Sequence, residues 1–120
     1  MGYILETERC RLREMREEDG PILYRLNSDP EVIRYTGDPP FESEAAATEF
    51  IRNYEAYKKY GMGRWLAERK DDGEILGWCG LKYLPGENQV DLGYRFFRKY
   101  WGMGYSTETA RQCVTYGFEQ

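Results

Sequence analysis

The sequence predicts an α+β domain, a largely antiparallel sheet flanked by helices, and three observations carry that expectation. Between Ser43 and Gly61 apolar side chains recur at helical spacing. From Arg64 to Phe97 three stretches with strand-type patterning follow one another through short turns, the first of them an Asp-Gly turn. A basic, glycine-bearing loop then leads into a last helical stripe. The 120 residues suffice for one such domain. Under a fifth of them are Leu, Ile, Val or Phe, a composition that by itself leans towards disorder. Eleven Tyr and three Trp counter this by supplying large faces with a polar tip, and the net charge is only −4. Residues 1–120 therefore read as a single domain with an aromatic-rich core.

Arg9 to Met15 alternates, with Cys10 and Leu12 on one face and Arg9, Arg11 and Arg13 on the other. This is the first expected strand, its arginine row the wet face of a sheet edge. Glu17-Glu18-Asp19-Gly20-Pro21 sets acidic groups and an early proline ahead of Ile22, Leu23 and Leu26, and predicts a helix to about Asn27. Ser28-Asp29-Pro30 repeats that signal and opens a shorter helical turn with Val32, Ile33 and Tyr35, stopped by Gly37. After Asp38-Pro39-Pro40, Ser43 caps one helix running to near Gly61, whose Ala47, Phe50, Ile51, Tyr54 and Tyr57 face the core. Strands follow from Arg64 to Arg69 and from Ile75 to about Leu84, joined through Asp71-Asp72-Gly73. The second is apolar on both faces and should be central. Past the turn Pro85-Gly86-Glu87-Asn88, a fourth strand from Gln89 to Phe97 sets Val90, Leu92, Tyr94 and Phe96 against Asp91, Gly93 and Arg95. Gly93 in its interior suggests a bulge, or a close approach by another backbone or a ligand. The last helix carries Ala110, Cys113, Val114 and Gly117 on one stripe. The charged runs Glu14 to Asp19 and Arg69 to Glu74 read as turn and capping segments.

The absence of histidine removes Ser-His-Asp and Cys-His catalysis, His-ligated zinc and a His general base. Cys10, Cys79 and Cys113 form no C-x-x-C, so no metal site is expected, and an odd count of scattered cysteines fits a reducing cytoplasm. No apolar run approaches the roughly 18 residues of a membrane span. A pI near 5.0 argues against nucleic acid as partner.

The segment from Arg98 to Glu108 (Arg98-Lys99-Tyr100-Trp101-Gly102-Met103-Gly104-Tyr105-Ser106-Thr107-Glu108) places glycines between a strand and a helix N-terminus. Glycines there let successive backbone N–H groups converge, and the helix dipole adds to them, which makes an anion site. A tight turn whose glycines serve packing alone is the other reading of the same pattern. No Lys precedes Ser106, as a Walker A loop requires, and Thr107 stands where a dinucleotide fingerprint needs glycine.

These residues resemble the GNAT superfamily of acetyl-CoA-dependent N-acetyltransferases, in particular its RimJ/RimL-like branch. The resemblance runs through Leu5-Glu6-Thr7-Glu8-Arg9-Cys10-Arg11-Leu12-Arg13, Leu26-Asn27-Ser28-Asp29-Pro30-Glu31-Val32 and Gly77-Trp78-Cys79-Gly80-Leu81. It is strongest in Leu92-Gly93-Tyr94-Arg95-Phe96 and Tyr100-Trp101-Gly102-Met103-Gly104-Tyr105-Ser106-Thr107-Glu108. It implies a central mixed sheet whose loop after the fourth strand wraps the CoA pyrophosphate. The family loop reads [Q/R]-x-x-G-x-[G/A]; Lys99 stands at its first position, keeping the charge but losing arginine's fork. Gly102 and Gly104 match, and the backbone of Trp101, Gly102, Met103, Gly104 and Tyr105, with the Ser106 and Thr107 hydroxyls, would hold the phosphates. Phe96 would line the pantetheine path by main-chain pairing.

In such enzymes the amine attacks the thioester directly and needs a base. Asp91 matches an acidic position just before Leu-Gly-Tyr and is the candidate; a solvated strand residue or an ion-pair partner of Arg95 is the alternative. Glu108 matches a family acidic residue, yet a carboxylate in a first helical turn is also good capping, and the structural role is expected. The acceptor implied is a small amine or a protein N-terminus. Family members usually continue for several tens of residues, so the chain corresponds to the N-terminal two-thirds of a family domain, lacking the usual C-terminal strands and the usual thiolate-protonating Tyr. The fourth strand would then expose an edge open to self-association. A CoA-binding or assembly module without turnover is the competing reading.

Overall fold

A computed structural model of the chain describes residues 3–34, 40–84, 86–87 and 89–119. Five strands, β1 (Tyr3–Glu6), β2 (Cys10–Glu14), β3 (Arg64–Arg69), β4 (Ile75–Leu84) and β5 (Gln89–Phe96), form one sheet in sequential order. All four pairings are antiparallel. Between β2 and β3 lie α1 (Gly20–Leu26), α2 (Pro30–Ile33), α3 (Glu44–Arg52) and α4 (Ala56–Tyr60); α5 (Tyr105–Glu119) follows β5.

Strand alternation sends neighbouring side chains to opposite faces, and the sheet accordingly separates two apolar clusters. Cys10, Leu12, Trp65, Ala67, Cys79 and Leu81 pack with Cys113 and Tyr105 of α5. Leu66 and Trp78, on the reverse face, pack with Leu23 and Leu26 of α1 and Ala47 and Ile51 of α3. β4 is an inner strand, paired with β3 and β5 and covered on both apolar faces, and Asp-Gly closes the β3–β4 hairpin with Gly73 at φ 74°.

The differences from expectation have physical causes. Tyr3-Ile4-Leu5 shows no alternation, yet it forms β1 and pairs with β2, Leu5 opposite Leu12. β2 is therefore an inner strand, and Arg13 is not on a wet face: it is 7% exposed. Its guanidinium forks onto Asp19 at 2.8 and 3.0 Å and reaches Glu68 at 3.4 Å. A charge so placed is tolerated because its partners accompany it into the interior.

The single helix expected from Ser43 to Gly61 divides at Asn53. Two tyrosine hydroxyls make the break: Arg64 N donates to Tyr54 Oη at 2.9 Å, and Met15 N donates to Tyr57 Oη at 3.1 Å, while Tyr57 Oη donates to Arg64 O. These tertiary bonds outweigh helix propensity. Phe50, Tyr54 and Tyr57 still pack against the α1–α3 core.

Gly93 makes no bulge, because it faces Gly80 in an unbroken β4–β5 register. Tyr35 and Gly37, expected to finish α2, and Pro85 and Asn88 of the next turn lie outside the described residues.

Candidate functional site

β5 has β4 on one side and no described strand on the other. Its alternation puts Val90, Leu92 and Tyr94 on the α5 face, where they are 47%, 41% and 53% exposed. The strand passes into a single 3-10 turn, Arg98–Tyr100, and then into the glycine loop. Gly102 and Gly104 take φ of 80° and 84°, backbone that side-chain-bearing residues rarely adopt. Trp101 Nε1 donates to Phe96 O at 2.9 Å and folds the loop back on the strand end.

A cavity of about 330 Å³ opens against this loop, with Tyr94, Phe96, Trp101, Gly102, Gly104, Tyr105 and Ser106 on one side and Glu31 and Val32 of α2 on the other. A second, of about 560 Å³, shares Tyr94 and Ser106 and is lined further by Leu92, Thr107, Ala110 and Val114. Together they trace a groove that begins at the glycine loop and follows the open face of β5 beside α5. The turn from α1 into α2 is held beside its mouth by two arginines: Arg95 Nη1 donates to Asn27 Oδ1 at 2.7 Å, and Arg98 Nε lies 3.3 Å from Asp29 Oδ2.

The groove collects most of the residues the sequence singled out, but not all. Met103 is 52% exposed and lines neither cavity. Lys99 lies elsewhere, its ammonium 5.1 Å from the Tyr100 ring centre, lining a different hollow with Arg25 and Glu74. Asp91 is exposed and faces Lys82 across the β4–β5 ladder, on the reverse side of the strand from Leu92.

Sequence reasoning missed Arg9, which sits before β2 and beneath the glycine loop. Arg9 Nε donates to Glu108 Oε1 at 2.7 Å and Arg9 N to Glu108 Oε2 at 2.9 Å. Thr7 Oγ1 donates to the same Oε2 at 2.5 Å. Arg9 Nη1 donates to Met103 O at 3.1 Å, and the guanidinium lies 4.2 Å from the Tyr105 ring centre. Burial works against the Glu108 charge, but the bonds from Thr7 and Arg9 prevail and hold its carboxyl below the ordinary value. Glu108 is thus structural, tying the start of α5 to the β1–β2 turn. The two charges stand 99 residues apart in sequence, and charge complementarity alone does not pair them.

The groove suits an extended, largely apolar ligand with an anionic end: backbone with left-handed glycines and the first turn of α5 at one end, Leu92, Ala110 and Val114 at the other. Among the described residues no cluster of His, Cys, Asp and Glu has the makings of a metal site. No helix among them is long and apolar enough to cross a membrane.

The chain is similar to known proteins in sequence and in fold. The chain is 39% identical over 120 residues to the uncharacterized protein YkkB of Bacillus subtilis, covering 97% of this chain and 69% of that one. It is 34% identical over 116 residues to the uncharacterized N-acetyltransferase p20 of Bacillus licheniformis, covering 95% and 65%. In fold it is similar to the crystal structure of a GNAT-family acetyltransferase from Bacillus anthracis, with a TM-score of 0.79 at 23% identity, covering 96% of this chain and 66% of that one. The chain thus spans about two-thirds of the length of the relatives it matches. Residues 9–120 match the acetyltransferase (GNAT) domain family, and the chain belongs to that family.

Proposed function

We propose that residues 1–120 form one GNAT domain that binds acetyl-CoA along the groove and transfers its acetyl group to a primary amine. The observation that carries this reading is the junction of the loop and the groove. Gly102 and Gly104 present a left-handed backbone at the N-terminus of a 15-residue helix, and an open apolar strand face leads away from it. Backbone N–H groups from Trp101 to Tyr105 and the Ser106 and Thr107 hydroxyls meet the pyrophosphate, and Phe96, Tyr94 and Leu92 flank the pantetheine. Lys99 contributes through its charge rather than by contact.

The reaction forms a C–N bond at the thioester carbonyl and breaks its C–S bond. The attacking nitrogen must be a neutral amine, so a base takes the ammonium proton. Asp91 fills that role, directly or through a water. It stands beside Leu92 on the strand whose other face lines the groove, so an amine approaching the free edge of β5 meets both. The acceptor is a small amine or, by likeness to the RimJ/RimL-like branch, a protein N-terminus. The three reduced, buried cysteines agree with a cytoplasmic site of action. A second copy of the chain pairing along the edge of β5 is the competing use of that edge, since it closes the amine's approach; a single mass at all concentrations in light scattering removes it.

The test is titration with acetyl-CoA, followed by thiol release with a panel of amines for the wild type and Asp91→Asn. The reading expects binding in both and a release rate in the variant lower by about two orders of magnitude, restored in part as pH rises. Binding without release from the wild type supports a CoA-binding module instead; no binding by the folded chain overturns both.

A further inference from the structure

We infer that Arg9 is a positioning residue for the phosphate end of the groove, fixing the peptide between Met103 and Gly104 so that its N–H faces the ligand. This rests on the acetyl-CoA reading above and adds a residue that the loop itself does not contain.

A trans peptide sets its carbonyl and the following N–H on opposite sides. Met103 O accepts from Arg9 Nη1 at 3.1 Å on the underside of the loop. Gly104 N–H is therefore turned away from Arg9, and Gly104 lines the loop cavity. Gly104 has no side chain to fix its orientation, and at φ 84° its backbone lies in a region where glycine is the permissive residue. Left to itself, such a peptide rotates; a partner on one side selects the orientation. A carbonyl that accepts from a cation also polarises its own amide, which strengthens the N–H as a donor to an anion.

Arg9 is in turn held in place. Its Nε is tied to Glu108 Oε1 at 2.7 Å, its main-chain N to Glu108 Oε2 at 2.9 Å, and its guanidinium plane covers the Tyr105 ring at 4.2 Å. Tyr105 Oη accepts from Arg69 Nη1 at 3.3 Å, so the ring is anchored as well. The guanidinium thus reaches a carboxylate with Nε and a loop carbonyl with Nη1. Lysine, a single point of donors on a flexible stem, does not hold both in one fixed geometry.

The experiment compares the wild-type chain, Arg9→Gln and Arg9→Lys by calorimetric titration with CoA and with pantetheine, which lacks the pyrophosphate. Melting curves establish that each variant is folded. The expected result is a loss of about tenfold to a hundredfold in CoA affinity for Arg9→Gln, the range of one or two hydrogen bonds to a charged group. Pantetheine affinity stays within about twofold, since no phosphate donor is involved. Arg9→Lys, which keeps the charge and a stem over Tyr105, falls between and serves where the glutamine variant does not fold. Equal losses for both ligands mean that Arg9 only supports the fold, and they overturn the inference. So does unchanged CoA affinity in a folded variant. Failure of the folded wild type to bind CoA is a different result: it overturns the acetyl-CoA reading, and this inference with it.

Discussion

The glycines of β4 and those of the loop after β5 look alike in the sequence and are required for opposite reasons. A Cβ on Gly80 would fall inside the carbonyl oxygen of Gly63, and one on Gly77 inside the carbonyl of Arg95. Gly80 is glycine because the space is already taken by protein, and Gly77, at φ 153°, for that reason together with its backbone conformation. Around Gly102 the reverse holds: nothing lies within 4 Å of where a Cβ would stand. Around Gly104 only the Arg9 guanidinium is near, at 3.4 Å. Their φ values of 80° and 84° are what exclude other residues. A glycine held for its conformation leaves backbone bare, which at Gly73 only closes a turn and at Gly102 and Gly104 lies against the groove. A glycine held for lack of space marks the interior.

Substitutions can break or sharpen that contrast. Gly80→Ala brings the largest effect, a destabilisation of about 3 kcal/mol, because the collision is with backbone and no rotamer relieves it; the denaturant midpoint reports it, with CoA affinity of the folded fraction unchanged. Gly104→Val reverses the balance: strain of about 1–2 kcal/mol in the left-handed region, with CoA affinity down by more than about tenfold as the side chain crowds the Arg9 guanidinium and shifts the Met103–Gly104 peptide. Equal stability losses in the two variants would erase the distinction. The third test is acid titration of stability. Because the Glu108 carboxyl is held below its ordinary value near 4.5, its contribution is fully present above that value and disappears as pH falls through the lowered one. Glu108→Gln therefore flattens the stability curve in that acid window and leaves its shape near neutrality. Gly93→Ala, directly opposite Gly80, should change stability least, by under about 0.5 kcal/mol, since its Cβ meets only the Trp78 ring edge at 3.5 Å.

What the sequence could reveal depended on how local the cause was. Arg64–Arg69 and Ile75–Leu84 were legible because strand patterning and an Asp-Gly turn are properties of adjacent residues. The glycine loop was legible for the same reason, since left-handed backbone leaves its mark as glycine. The break at Asn53 was not, because it comes from hydroxyls of Tyr54 and Tyr57 meeting backbone at Arg64 and Met15. The arginine row misled for a related reason. Alternation grouped Arg9 with Arg13, whereas only Arg13 belongs to β2, buried on Asp19, and Arg9 lies ahead of the strand beneath the glycine loop. The lining of the groove was legible where it is contiguous, at Phe96, Trp101, Gly102 and Gly104 to Thr107, though Lys99 and Met103 of the same segment lie off it, and the fold brings Thr7 and Arg9 to the loop from far away in the sequence.

The burial of all three cysteines has a practical side. Cys10, Cys79 and Cys113 are each 0% exposed, and Cys113 donates to Cys79 across 3.6 Å between α5 and β4. That bond and the burial hold the Cys113 thiol above its ordinary value, while burial does the same for Cys10. Thiol-reactive dyes therefore find no ready target on the native chain. An assay that follows the release of free CoA by such a dye starts from a flat baseline, and the same dye without CoA becomes a clock for global opening, three equivalents per molecule unfolded.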